Sequence, residues 1–438
     1  MADVVRDQWQ PSLDSGLLRR DRRGGPYDAY IPDPIAGRSI AIGSELGRKS
    51  AQAERVVRAL SVGPGSDALE GISRLLLRSE AIASSMIEGI APSPQQVAIA
   101  ELAEDEQVRG FSEQARLVAN NIQVLRRASS ELYTLENVAV EDIVRLHASL
   151  LPDERQHRGL RTVQNWIGGS NWHPLDAQFV PPPPIHVKPL IEDLVEYING
   201  SAHATLVQAA LMHAQFETIH PFTDGNGRVG RALIHTVLTR RGLTRGAKLP
   251  VSLVLATLHH DYVDGLNAYR YHGASDSEEA VKGTRQWLHT FLDASIIAAS
   301  QAQQLATDVA ELRADWEDQL ARYRTSHGLR AAPRSGSAIA KLLQTLPEVP
   351  IMTTRTVQRL LNISFPPARA ALDELADAGI LTRRSVENNT TGYLATGVFS
   401  LVTYAERRMA STQFDTRIAL PGRPVAARPP VAPGGYTD

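Results

Sequence analysis

Cysteine is absent from the 438 residues, which excludes disulfides, thiolate zinc sites and cysteine nucleophiles and makes the reducing cytoplasm the expected location. No stretch approaches the roughly 18 consecutive apolar residues of a membrane span. The polar opening "MADVVRDQWQPSLDSGLLRRDRR" also lacks the apolar run of a signal peptide, so no membrane partner is expected. An excess of charge of either sign is missing as well. Lys and Arg number 46 against 48 Asp and Glu, a net charge of -2, so composition demands neither nucleic acid nor an anionic surface. The preference for Arg over Lys, with abundant Ala, fits a GC-rich bacterial genome.

The chain is long enough for two or three units with separate cores. Pro and Gly recur through the first forty residues, and "GGPYDAYIPDPI" reads as extended chain laying its aromatics on a larger body. Residues 1–48 are therefore expected to form a strap. From there helical spacing dominates to about residue 330, through "ISRLLLRSEAIASSMIEGI", "VEDIVRLHASLL" and "ATLVQAALMHAQFETI". It lapses over 160–180, where "GLRTVQNWIGGSNWHPLDAQFVPPPP" has the marks of a hairpin closed by stiff prolines. Gln164, Asn165 and Trp166 belong there either to the core or to the hairpin. An Ala- and Gln-rich stretch near 294–323 reads as a connecting helix. Three short helices and a hairpin follow over 335–405, the order of a winged helix. The Pro-, Arg- and Gly-rich residues 412–438 are expected to be disordered.

Between two helical patterns lies "FETIHPFTDGNGRVGR", residues 216–231. Gly225, Gly227 and Gly230 satisfy G-x-G-x-x-G, but no strand precedes them and no acid follows at the required distance. Arg231 and Ala232 replace the Lys and Ser/Thr of a Walker loop, and His235 stands where a calcium loop needs Glu. A hairpin turn conflicts with the helical period of the flanks. There remains a glycine-rich loop opening a helix near Asn226, where unpaired amides and the positive dipole end coincide to hold an anion. Arg228 and Arg231 lie three apart and can reach one polyphosphate. Asp224 suits a Mg²⁺ ligand, and His220 is the group able to take a proton near pH 7.

"HPFTDGNGRVGR" agrees at every defining position with the motif H-x-F-x-[DE]-G-N-G-R-x-x-R, and the chain resembles the Fic protein adenylyltransferases over about residues 20–400. The resemblance implies a mainly α fold: an all-helical Fic core over 49–330 with a small β-hairpin flap, followed by the winged-helix domain. It implies ATP and Mg²⁺, with His220 taking the proton of a target protein's Ser, Thr or Tyr hydroxyl that attacks the α-phosphate. Asp224 would hold the metal. Gly225, Asn226, Gly227, Arg228, Val229, Gly230 and Arg231 would hold the nucleotide, with Arg228 at the β-phosphate, Arg231 at the γ-phosphate and Tyr262 near the adenine. The flap would clamp the target by strand addition. Ser84, Glu88 and Gly89 in "SSMIEG" fit the family's inhibitory pattern [ST]-x-x-x-E-[GN], on an inhibitory helix near 79–89, so Glu88 is expected to pair with Arg231 and hold the enzyme off. Two alternatives are AMP removal by the same site and DNA regulation through Arg355, Arg359, Arg369, Arg383 and Arg384. A homodimer is a further option; DNA is the less favoured partner.

Overall fold

The computed structural model describes residues 1–13, 16–62, 66–244, 248–387 and 389–410; the expected tail at 412–438 lies outside them. Strands β1 (Asp3–Trp9) and β2 (Gly25–Ile31) precede helices α1 (Gly43–Val62), α2 (Ser66–Glu70), α3 (Ser73–Ile87), α4 (Pro94–Asp105), α5 (Glu113–Ser130) and α6 (Val140–Leu150). Then come α7 (Pro184–Asn199), α8 (Thr205–Ile219), α9 (Asn226–Arg240), α10 (Val251–Thr257), α11 (His259–Tyr269) and α12 (Glu278–Ser326). The C-terminal part runs α13 (Ala338–Thr345), β3 (Ile351–Met352), α14 (Thr354–Leu361), α15 (Phe365–Asp377), β4 (Thr382–Glu387), β5 (Thr390–Leu394) and α16 (Thr396–Ala410). The protein is mainly α, as expected. Among the described residues no helix is long and apolar enough to cross a membrane. The chain divides into two units: residues 1–56, 123–243 and 259–295, and residues 57–122, 244–258 and from 296 onward.

The first unit is built on α8 and α9. Every residue of α8, and α9 from Asn226 to Thr239, is buried, so these helices are covered on all sides and make the centre of the unit, polar residues such as Glu217, Arg228 and Arg231 included. Gly230 lets them approach: a Cβ there would stand 2.9 Å from Phe216 Cδ1. Trp287 of α12 is fully buried and donates to the Ala210 carbonyl at 2.8 Å. The proline run ends with Pro184 in the first turn of α7, where a missing N–H costs nothing.

Within the expected strap, β1 and β2 form a seven-pair antiparallel hairpin. Its aromatics do pack inward: Tyr27 and Tyr30 are buried, and Tyr30 N–H donates to Val180 C=O at 2.9 Å. The expected flap hairpin is reduced to one antiparallel bridge, Ile167 with Phe179. Gly168 and Gly169 both have φ of 74° and Pro174–Asp176 forms a 3₁₀ turn, so the segment turns back on itself before a ladder can extend. The connecting helix and the helix before it are one 49-residue element, α12.

In the second unit α3 is buried from Leu75 to Ser85. Its Glu80 accepts from Ser252 N–H at 2.8 Å and Ser252 Oγ–H at 2.5 Å at the start of α10. Strands β3, β5 and β4 form an antiparallel sheet in that order, with Ile351, Val386 and Leu394 packed against Ala98, Ile99 and Leu102 of α4. Glu106, which ends α4, accepts from Thr353 Oγ1 at 2.5 Å and Thr356 Oγ1 at 2.6 Å. These hydroxyls also form the capping box that opens α14.

Candidate active site

Helix α8 stops because His220 turns left-handed, with φ 49° and ψ 61°. A side chain pays for that conformation with about 1 kcal/mol or more, so the surroundings must impose it. Arg161 does so. Its Nε donates to His220 C=O at 2.9 Å, its backbone N–H to Pro221 C=O at 2.9 Å, and its Nη2 to the carbonyls of Ile219 and Pro182. The guanidinium is buried, which pulls its pKa down to about 10, still charged at neutral pH. His220 thereby sits at the rim, its side chain 18% exposed.

The loop that follows is locked by side-chain amides. Asn226 Oδ1 accepts from Phe222 N–H and its Nδ2 donates to Phe222 C=O, both at 2.8 Å. Asn165 Nδ2 donates to the same carbonyl at 2.9 Å. Phe222 is fully buried and stacks on His147, ring centroids 3.9 Å apart and planes at 7°. His147 Nε2 lies 3.0 Å from Asp224 C=O, an acceptor, so Nε2 carries the proton; burial holds the His147 pKa low and the ring neutral. His157 Nδ1 meets Thr223 Oγ1 at 2.7 Å. Gly225 has φ 76°, and a Cβ on it would lie 2.7 Å from Leu150 Cδ2, so both conformation and space demand glycine.

Helix α9 opens at Asn226, and the first amides of any helix lack intrahelical acceptors. Arg228 and Arg231 are 3% and 1% exposed, which is unusual for arginine and places two positive charges inside the protein at this helix start. Arg228 Nη2 is 3.6 Å from Asp224 Oδ2. Asp224 is half exposed; its Oδ1 accepts from Gly225 N–H at 2.6 Å. Among the described residues no group of three or more His, Cys, Asp or Glu could hold a metal. The half-exposed Asp224 carboxylate at the start of this helix fits Mg²⁺ chemically, since that ion takes one or two carboxylates and completes its shell with other oxygens and water.

The structure thus brings His220, Asp224, Gly225, Asn226, Gly227, Arg228, Val229, Gly230 and Arg231 into one continuous turn and helix start. Tyr262 lies in the core: it is 4% exposed, its hydroxyl 2.9 Å from His213 Nε2 and its ring 6.1 Å from Trp287. Ser84, Glu88 and Gly89 belong to the second unit. Ser84 is fully buried, whereas Glu88 caps α3 and is exposed. Gly89, φ 77°, donates to Met86 C=O and Ile90 to Ser85 C=O, each at 3.0 Å. This is a Schellman ending, which explains why glycine or asparagine follows the glutamate. The open alternatives at 164–166 resolve: Gln164 holds Pro181 C=O, Asn165 the loop, and Trp166 packs edge-on to Trp9 at 5.2 Å. Arg161 and His147 were not singled out from the sequence. Their partners are carbonyls 59 and 77 positions away, and a lone Arg or His carries no such signal.

Residues 137–238 match the model of the Fic/DOC family. Protein adenylyltransferase fic-1 of Caenorhabditis elegans is 28% identical over 155 residues, 34% of this chain and 28% of that protein. A probable protein adenylyltransferase of Aquifex aeolicus is 44% identical over 68 residues, 15% of this chain and 21% of that protein. Protein adenylyltransferase Fic of Nematostella vectensis is 26% identical over 216 residues, 46% and 41% of the two chains. The chain therefore spans well under two thirds of each of these relatives. A crystal structure of a Fic family protein from Desulfovibrio desulfuricans G20 superimposes with a TM-score of 0.49 at 19% identity, covering 83% of this chain and 98% of that one.

Proposed function

From the Fic domain that residues 137–238 form, we propose that the protein transfers AMP from ATP to a Ser, Thr or Tyr hydroxyl of a target protein. The observation that carries this reading is the rigid loop of His220 to Gly225 running into α9, with two arginines buried where phosphates would meet unpaired amides. His220 Nε2 takes the hydroxyl proton and the oxygen attacks the α-phosphorus. The bond from that phosphorus to the bridging oxygen breaks, its electron pair leaving with pyrophosphate. The loop amides of Gly225, Asn226 and Gly227 serve the phosphates, Val229 and Gly230 continue the helix turn beside the nucleotide, Arg228 serves the β-phosphate and Arg231 the γ-phosphate. Positioning and charge supply most of the rate, and the base adds about 10²–10⁴-fold. Asp224 is the residue that would hold Mg²⁺, which when bound supplies charge neutralisation to the phosphate oxygens. The adenine-side role of Tyr262 rests on the resemblance alone; its buried ring favours packing.

The segment closed by the Ile167–Phe179 bridge is the proposed clamp for an extended target strand. Glu88 is the proposed inhibitor, engaging Arg231 and depriving the γ-phosphate of its partner. The Schellman ending of α3 supports this, because it makes Glu88 the cap residue at which the helix stops and places it at the surface. Holding 99% of the enzyme off needs about 2.7 kcal/mol, within the range of one well-placed charge pair. In the C-terminal module, the order helix, strand, two helices, two strands supports a winged helix. Three of its five candidate arginines speak against DNA: Arg359 pairs with Asp105, Arg369 with Asp373, and Arg383 with Asp373 and Asp377.

ATP labelled at the α-phosphate tests the reaction against ATP labelled at the γ-phosphate. Protein-bound label from the first alone, lost in His220→Ala, is expected. Label from the γ-phosphate, or label that persists in His220→Ala, refutes the mechanism.

A further inference from the structure

Glu217 stands one turn before His220, in the last turn of α8, and its side chain is 8% exposed. Two forces oppose an anion there: burial removes its hydration, and the negative end of the helix dipole repels it. Yet the fold makes room for it. A Cβ on Gly230 of α9 would lie 2.6 Å from Glu217 Oε1, so α9 carries its glycine where the carboxylate needs space. The other oxygen, Oε2, is 4.0 Å from His220 Nδ1. That is ion-pair range but longer than a hydrogen bond, and contacts of this kind shorten when reactants bind.

The charged and titratable groups around this pair come from helices α8 and α9 and from three loop segments. On α8, His213 is fully buried and held neutral, its pKa pushed down to about 3 chiefly by burial. On α9 stand Arg228 and Arg231, the latter close enough for its charge to act on His213. Arg270, directly after α11, feels the Glu217 charge and stacks on Phe179 at 3.6 Å. Arg161 binds the His220 carbonyl, and Asp224 lies on the loop beyond. The cations favour an ionised Glu217, whose Oε2 is within ion-pair range of the His220 ring.

We propose that Glu217 is the positioning residue for His220. Its carboxylate draws the protonated Nδ1 side of the imidazole toward the protein, leaves the Nε2 lone pair for the target hydroxyl, and pairs with the imidazolium formed when that proton arrives. The proposal rests on the reading of His220 as the base, and concerns how the base is oriented and made basic. An opposite charge this close raises a histidine pKa by about one unit or more. Removing it lets His220 lose its proton at lower pH, so the acid limb of the rate profile moves down while the plateau falls.

The test follows the His220 ring in full-length protein labelled with ¹⁵N-histidine, its resonances assigned by their absence in His220→Ala. In Glu217→Gln the His220 pKa is expected to fall by about one unit or more. The acid limb of kcat should move with it, and plateau kcat should drop about tenfold with KM for ATP unchanged. A His220 titration that superimposes on that of the parent overturns the proposal. Should Glu217→Gln not fold by circular dichroism, Glu217→Asp withdraws the charge by one methylene, and an unshifted titration there overturns it equally. The two readings fail separately, since AMP transfer surviving in His220→Ala removes the base but leaves the titration result to decide the pairing.

Discussion

Gly225 and the buried histidines carry the sharpest consequences at the scale of single residues. Gly225→Ala forces a methyl group toward Leu150 at 2.7 Å in a left-handed conformation. A loss of about 3 kcal/mol in chemical denaturation, with weaker ATP binding, is expected; an unchanged midpoint would mean the loop relaxes freely. His147 and His213 both have folded-state pKa values below the unfolded value of about 6.5, because burial disfavours their charged forms. Unfolded chain then binds more protons at acid pH. Their contribution is complete above about pH 6.5 and is lost as pH falls, for His213 down to about 3 at roughly 1.4 kcal/mol per unit. Thermal midpoints should therefore drop from pH 7 to pH 5, and drop less in His213→Gln. Much of this site was legible in the residues themselves, since "HPFTDGNGR" needs its letters for local reasons: a positive φ at Gly225, a short amide at Asn226, charges at Arg228 and Asp224. Arg161 was not legible, because its function is to bind carbonyls that only the fold brings together.

Among elements, those with a strong period of their own were the ones the sequence located. Helices α8 and α9 on either side of the loop, and the three short helices α13, α14 and α15, stand where helical spacing put them. The flap closes through one antiparallel bridge and not a longer ladder, because two consecutive left-handed glycines and a 3₁₀ turn take up residues that alternation had assigned to strands. The β1–β2 pair was missed because its partner strands are separated by a loop with its own Pro and Gly, which masks the alternation. One anchor between elements yields a prediction. Glu106 accepts hydrogen bonds from Thr353 and Thr356 at the start of α14. Glu106→Ala should cost about 2–3 kcal/mol by stranding both hydroxyls, and Glu106→Gln less. Equal thermal midpoints for the Ala variant and the parent would show that water replaces the carboxylate without penalty.

At the scale of the whole molecule, the chain falls into two units, and the residues proposed for chemistry and for its restraint fall one set in each. His220, Asp224, Arg228 and Arg231 belong to the first; Glu88 belongs to the second, together with the C-terminal helices and their three-stranded sheet. Within the second unit α3 is tied to its neighbours by Glu80 to Ser252 and by Arg78 to Glu101 and the Glu348 carbonyl, so Glu88 ends a firmly held helix. The most direct measurement of the central claim is the intact mass of proteins in a lysate and of the protein itself after incubation with Mg²⁺ and ATP, for the parent, Glu88→Gly and His220→Ala. The account predicts addition of AMP that rises tenfold or more in Glu88→Gly and vanishes in His220→Ala, a restraint of about 1.4 kcal/mol or more. AMP addition equal in all three would contradict it.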